Sequence, residues 1–297
     1  MNGKFVKWED ANVHITTHTL HYGSGVFDGL RAYETPRGPA IFRLADHMKR
    51  LENSAQIHKI KMPFSGKEIG AAIIRLVKLN KLTGCYIRPL VYYGVAELKM
   101  SPYKHPVDTA IIAFPLGTYI SEEAKEKGIR CKISSWVRIH STILPPKAKC
   151  CGNYANSILA HKEARDDGFD DGIMLDLQGN AVEGPTQNLF IVRNSTLITP
   201  PPESDILLGL TRDSLITIAK DLGIKVVERN IPHDEIYLAD EAFITGTASE
   251  LTPITSVDNR TIGEGKRGPI TTKLQKVFFD AVRGKVPKYR DWLTVVK

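Results

Sequence analysis

Lys149 stands five residues before Tyr154, with Cys150-Cys151-Gly152-Asn153 between them. Further on, Glu183-Gly184 is followed closely by Asn188-Leu189-Phe190. An amine can form a Schiff base with an aldehyde, and a phenol can hydrogen-bond a ring oxygen. A carboxylate can keep a pyridinium nitrogen protonated. These are the groups that a pyridoxal 5'-phosphate (PLP) cofactor requires.

Each residue also has a plainer reading. Lysines in loops are usually solvated, and Lys147 shares this loop with Lys149. What distinguishes the segment is Gly152-Asn153, which allows close backbone approach and can cap the following helix. Glu183 taken alone reads as a turn-facing surface acid. Gly209-Leu210-Thr211 opens a helix, so backbone N–H groups and a hydroxyl converge where the helix dipole is positive, as a phosphate needs. Gly246-Thr247-Ala248 offers a second such loop, and Arg50 a full charge from an amphipathic helix. In Tyr86-Ile87-Arg88-Pro89, strand alternation puts Tyr86 and Arg88 on one face.

Two further patterns carry less. Gly23-Ser24-Gly25-Val26-Phe27-Asp28-Gly29 loosely resembles a dinucleotide loop, but no buried strand precedes it and no βαβ unit surrounds it. His14, His18 and His21 have metal-like spacing only on a helix, and Ile15-Thr16-Thr17 argues against one. Structural histidines, and no metal site, are expected.

The elements that must position these residues are legible in outline. Leu30–Tyr33 and Ile41–Leu44 flank a turn at Pro36–Pro39, a hairpin signal. Asp46 is expected to cap a helix carrying Met48, Leu51 and Ala55, and a second helix runs from about Lys67 to Asn80. Strands are expected at Tyr86–Tyr93, Thr109–Phe114, Arg130–Trp136, Gly172–Leu177 and Asn188–Arg193. A helix begins near Asn153 and stops before Gly168; another carries Leu215, Ile218, Ala219 and Leu222, with Gly223 beyond its end. Ile270, Leu274, Val277, Phe278 and Ala281 mark a last one. Strands adjacent in sequence favour α+β over a doubly wound sheet.

The 297 residues suggest two domains, with a Pro/Gly-containing linker between them. The division expected is 1–114, a linker at 115–125, and 126–297. Net charge is +7, but the basic residues are scattered, so no nucleic-acid surface is expected. No apolar stretch approaches the roughly 20 residues that span a bilayer, and the N-terminus has no signal-peptide core. A cytoplasmic location is expected, with Cys85, Cys131, Cys150 and Cys151 as free thiols.

From about Trp8 to Trp292 the chain resembles the branched-chain amino acid aminotransferases of the fold-type IV PLP enzymes. The resemblance implies a two-domain α+β fold similar to D-amino acid aminotransferase. It has a small N-terminal α/β domain and a larger C-terminal pseudo-barrel α/β domain. It selects Lys149 over Lys147 as the residue holding PLP as the internal aldimine and moving the proton. It implies Tyr154 and Glu183 as partners of the cofactor ring, and Arg50, Leu210, Thr211 and Thr247 as its phosphate cup. Tyr22, Phe27, Gly29, Tyr86, Arg88 and Tyr119 match positions lining the substrate pocket. Tyr86, Thr247 and the Ala248 N–H would hold the α-carboxylate; Arg88, with Tyr22 and Tyr119, would receive the distal carboxylate of glutamate. The implied reaction is transamination of leucine, isoleucine and valine with 2-oxoglutarate, by a homodimer or larger homo-oligomer. D-amino acid aminotransferase, (R)-amine transaminase and aminodeoxychorismate lyase share the scaffold, and Tyr86-Ile87-Arg88 favours the branched-chain class. A non-catalytic PLP-binding protein is the reading from another class. The chain departs from the family in having Leu116 where many bacterial relatives have tryptophan. Its less glycine-rich loop Val95–Met100 is expected to place Glu97 near the pocket mouth.

Overall fold

The computed structural model describes residues 1–115 and 122–297, so Leu116, Tyr119 and most of the expected linker lie outside the described residues. The chain forms two compact units. In chain order, α1 (His18–Tyr22) leads into β1 (Gly25–Phe27), β2 (Leu30–Tyr33), β3 (Ala40–Phe42), α2 (Leu44–Ile57), α3 (Gly66–Leu79), β4 (Cys85–Tyr93) and β5 (Val107–Phe114). Then come α4 (Glu122–Lys127), β6 (Ile129–Ile133), α5 (Tyr154–Asp166), β7 (Asp171–Leu175), β8 (Ala181–Glu183), β9 (Asn188–Arg193) and β10 (Thr196–Thr199). The remainder is α6 (Leu210–Asp221), β11 (Val226–Glu228), α7 (His233–Ile236), β12 (Glu241–Gly246), β13 (Glu250–Val257), β14 (Arg260–Thr261), α8 (Pro269–Val282) and β15 (Leu293–Val295).

The first unit comprises residues 1–116, 148–153 and 282–297. Two later segments join the N-terminal part because Cys150 bridges Val26 and β15 pairs antiparallel with β3. Its sheet is antiparallel throughout. β5 covers one edge of the long strand β4, while β1 and β2 share the other. The interruption between β1 and β2 falls at Asp28–Gly29, opposite Pro89. Proline has no N–H to offer the ladder, and its carbonyl accepts the Asp28 N–H at 3.0 Å. Helices α2 and α3 cover the sheet, and Leu30, Ile41, Leu51, Ile69, Ile73 and Ile87 fill the space between.

Helix boundaries differ from the sequence expectations in instructive ways. α2 starts at Leu44 behind Arg43 in a left-handed conformation (φ 51°), so Asp46 lies in the first turn, where it pairs with Arg43. α3 is capped by Ser65, whose side chain and that of Glu68 satisfy each other's backbone N–H groups. A short helix, α1, does form at His18–Tyr22; it begins just beyond the β-branched run.

The second unit comprises residues 117–147 and 154–281. Its strands run in the order β7-β6-β13-β12-β9, and β8 pairs with both β7 and β9. That last pairing, Glu183 opposite Asn188, closes a ring of strands. β6 is parallel to β7 and β13, and the remaining pairs of the ring are antiparallel. Ile173, Leu189, Ile191, Ile244 and Ile254 are buried in the core of this unit. The arrangement is α+β, as the sequence suggests. Among the described residues no helix is long and apolar enough to cross a membrane.

Candidate active site

In the first unit, β1, α2 and the Lys149 segment come together. The Lys149 peptide is fixed on both sides: its N–H donates to Ser54 Oγ and its carbonyl accepts the Phe27 N–H, each at 3.0 Å. The Lys149 amine lies 5.2 Å from the centre of the Phe27 ring. The Arg88 guanidinium sits over the same ring at 4.6 Å and donates to Tyr86 Oη at 2.8 Å. Strand alternation thus delivers Tyr86 and Arg88 to one face, as expected.

Gly29 explains itself here. A Cβ at this position would stand 2.1 Å from Tyr86 Oη, so only glycine lets the phenol close over the backbone. Gly23 is constrained in another way. It has φ +61°, and a Cβ there would meet Gly152 Cα at 2.7 Å. The glycine-rich segment therefore packs against the Cys150–Asn153 turn.

Helix α2 presents His47, Arg50 and Ser54 on one face while Met48, Leu51 and Ala55 enter the core. Arg50 and His47 both grip Asp28, which is fully buried. Burial alone would raise the Asp28 carboxyl, but Arg50 and His47 outweigh it and hold the group well below the usual carboxylate range. Burial pushes the His47 imidazole down, against the pull of Asp28.

Tyr22 stands apart in its contacts. It is 48% exposed on α1, with its ring against His18 and His21. The three histidines of the N-terminal segment are engaged in hydrogen bonds to Thr16, Ser24 and the carbonyls of Met100 and Ile15. Glu97 is exposed and pairs with Lys99.

In the second unit Glu183 is buried, and its carboxylate is held from three directions. Arg138 Nε lies 2.8 Å away, and Asn188 Nδ2 and the Leu207 N–H donate at 3.1 and 3.2 Å. The turn that follows is fixed by Gln187. Its carbonyl accepts the Gly184 N–H at 2.7 Å, and its side-chain amide donates to Asp171 at 2.9 Å. Asp171 in turn lies 2.9 Å from His161 on α5.

α6 starts at Leu210 behind Gly209, with Thr211 buried and no side-chain cap on its first N–H groups. Thr247 and Ala248 lie in the β12–β13 turn, between the buried hydroxyls of Thr245 and Ser249, which lack a hydrogen-bond partner. Tyr154 is the first residue of α5. It lines a cavity of about 560 Å³ together with His161, Asp171 and Gln187. Among the described residues of the expected site, Tyr154 alone lines this cavity, so it is not where the others converge.

Lys147 serves the same unit. Its amine donates to the carbonyls of Pro202, Ser204 and Ile206, just before the segment that carries Leu207 and the start of α6. Burial pushes its pKa down.

Sequence reasoning missed Asp28, His47, Ser54 and Arg138, and gave Asn188 no role of its own beside Glu183. The spacing of His47, Arg50 and Ser54 at i, i+3, i+7 was a usable signal for a polar stripe. Arg138 had none, because its partner lies 45 residues away in sequence.

The residues present fit a phosphorylated pyridine aldehyde. An uncapped helix start suits the phosphate, a buried carboxylate held by an arginine suits a ring nitrogen, and two unpartnered buried hydroxyls flank the Gly246–Ala248 turn.

The chain matches the model of the amino-transferase class IV family over residues 25–257. It is 46% identical to a branched-chain-amino-acid aminotransferase of Pseudomonas aeruginosa, over 100% of this chain and 96% of that protein. The solved T.th. branched-chain amino acid aminotransferase with pyridoxamine 5'-phosphate superimposes with a TM-score of 0.97 at 45% identity, covering 100% of this chain and 97% of that one. The same enzyme complexed with N-(5'-phosphopyridoxyl)-L-glutamate gives 0.96 at 44% identity, with the same coverage.

Proposed function

The chain belongs to the amino-transferase class IV family, and on that premise we propose that it moves the amino group of branched-chain L-amino acids (leucine, isoleucine and valine) to 2-oxoglutarate, giving branched 2-oxo acids and L-glutamate. Its fold is that of the fold-type IV enzymes, and its cofactor is pyridoxal 5'-phosphate. When bound, the cofactor supplies an electrophilic carbonyl and a ring that takes up the electron pair left on the substrate Cα.

The chain's own residues do the rest. Lys149 would hold the cofactor through its amine, and the same amine, when free, would take up the proton from the substrate Cα and return it in the cofactor's reduction to the amine form. Tyr154 donates to the ring oxygen. Glu183 would hold the ring nitrogen in its protonated form, through a charge-assisted hydrogen bond worth on the order of 1.5–3 kcal/mol. Arg50, Leu210, Thr211 and Thr247 bind the phosphate. Tyr86, Thr247 and the Ala248 N–H hold the substrate α-carboxylate, and Arg88, with Tyr22 and Tyr119, receives the distal carboxylate of glutamate.

One observation carries this reading. The Phe27 ring, an apolar wall, has the Lys149 amine at 5.2 Å and the Arg88 guanidinium at 4.6 Å. A wall of that kind suits an aliphatic side chain, and the guanidinium beside it suits a carboxylate. We also propose a homo-oligomer acting in the cytoplasm. Supporting the oligomer, the large side chains Trp8, Ile15, Met100 and Tyr103 are 74, 72, 79 and 94% exposed, and association would cover side chains of this kind.

An initial-rate panel of L- and D-amino acids and a chiral amine, with 2-oxoglutarate as acceptor, tests the function. Rates should be high for L-leucine, L-isoleucine and L-valine. Activity confined to D-amino acids or the (R)-amine would replace this reading with the corresponding transaminase on the same scaffold.

A further inference from the structure

We propose that Asp28 is the positioning residue for Arg50, fixing that guanidinium for the cofactor phosphate and tying it to the substrate wall. The proposal rests on the reading of Arg50 as a phosphate ligand and goes beyond it.

The carboxylate is fully buried in the interruption between β1 and β2, between Phe27 and Gly29. Arg50 Nε donates to Oδ2 at 2.9 Å, and Arg50 Nη2 donates to Oδ1 at 2.7 Å. Two parallel bonds of this kind fix the plane of a guanidinium as well as its position. They also direct the third nitrogen, Nη1, away from the carboxylate. Oδ1 further accepts His47 Nδ1 at 2.8 Å and the Gly29 N–H at 2.7 Å. Three donors thus converge on Oδ1 and one on Oδ2, from three different residues, and together they fix the carboxylate's orientation.

The Gly29 contact matters as much as the arginine. That peptide packs so closely under Tyr86 Oη that a Cβ would be 2.1 Å away. A single buried charge therefore sets both the arginine on α2 and the backbone beneath Tyr86. A merely structural ion pair would have no reason to join these two elements. Buried pairs are often replaceable by apolar groups at little cost to stability, so stability alone does not explain the arrangement.

The test separates phosphate binding from folding by using two forms of the cofactor. Holoenzyme and variants are dialysed against graded concentrations of PLP or of phosphate-free pyridoxal, and occupancy is read by absorbance. Asp28→Asn is expected to weaken PLP binding by about tenfold to a hundredfold, the loss of one or two charge-assisted contacts, and to leave pyridoxal binding unchanged. Arg50→Gln should do the same, and adding Asp28→Asn to it should cost nothing further, because the two act through one contact. Equal weakening of PLP and pyridoxal, or additive losses in the double variant, would overturn the proposal. If Arg50→Gln alone leaves PLP affinity intact, the phosphate reading of Arg50 fails and the proposal with it. Should Asp28→Asn not fold, His47→Phe removes one donor from the same carboxylate. It is expected to give a smaller, phosphate-selective loss, and a loss shared equally by pyridoxal would again overturn the idea.

Discussion

Arg138 Nε lies 2.8 Å from Glu183 Oε1, both side chains buried, at the strand pair that closes the ring of the second unit. A carboxylate in that setting is held in one orientation by its partners. Glu183→Gln keeps the shape but cannot hold a protonated ring nitrogen as an ion pair. Losing about 3 kcal/mol of transition-state stabilisation slows the half-reaction roughly a hundredfold. The cofactor should remain bound through its phosphate. An unchanged single-turnover rate in Glu183→Gln would remove Glu183 from the mechanism.

Two lysines compete for the covalent role, and their surroundings differ. The Lys147 amine is occupied by three backbone carbonyls, whereas the Lys149 amine lies over the Phe27 ring on a backbone held at both sides. Borohydride reduction of the holoenzyme followed by peptide mapping should place the cofactor label on Lys149. Lys149→Ala should lose both the label and the yellow absorbance, and Lys147→Ala should keep them. A label on Lys147 would reverse the assignment.

Gly29→Ala tests the close approach of Tyr86. The new methyl group would overlap the phenol, whose ring is buried and cannot swing into solvent. Overpacking of this kind costs about 1–3 kcal/mol and here should displace Tyr86 from Arg88. KM for both substrates should rise several-fold while PLP content is unchanged. Wild-type KM values in Gly29→Ala would mean that Tyr86 does not touch substrate.

His161 gives a pH signature. Its hydrogen bond with Asp171 raises its pKa above the usual 6.5, against opposing effects of burial and of Arg165. A raised folded-state pKa means that the stabilisation is complete below about 6.5 and is lost as pH rises through the folded value. The contribution is small, because half of the imidazole is exposed and screened. The Tm deficit of His161→Gln should therefore be largest at or below about pH 6 and shrink as pH rises above the usual imidazole range. A deficit that is constant with pH would show that the contact is not ionic.

Much of this architecture was legible in the sequence wherever one face of an element is apolar. The helix carrying Leu215, Ile218 and Ala219 appears as α6, and the Leu30 and Ile41 strands pair as a hairpin through Ala32 and Ile41. The Ser65-x-x-Glu68 capping box was present in the sequence and passed over. Buried polar networks were legible only as the polar stripe of α2, without the partners it meets. Nothing in the spacing names Asp28 as the partner of His47 and Arg50, and Arg138 meets Glu183 because its own N–H pairs with Leu175 at the end of β7, whose neighbour β8 carries Glu183. Nor could spacing reveal that the Glu183–Asn188 pair closes a ring of strands, since closure depends on every pairing around it.

The central claim is that one pocket accepts both an aliphatic chain and a carboxylate, with Arg88 serving only the second. Stopped-flow measurement of the two half-reactions in Arg88→Leu tests it most directly. Arg88 donates to Tyr86 Oη and stacks on Phe27, so the leucine replacement keeps an apolar contact with the ring while removing the charge. One lost charge-assisted contact of about 2–3 kcal/mol predicts a thirty- to hundredfold fall in kcat/KM for glutamate. The leucine half-reaction should change by less than about threefold, within the spread expected for a conservative change of packing. An equal loss for both substrates, accompanied by lower thermal stability, would contradict the account and leave Arg88 as a structural arginine of its strand.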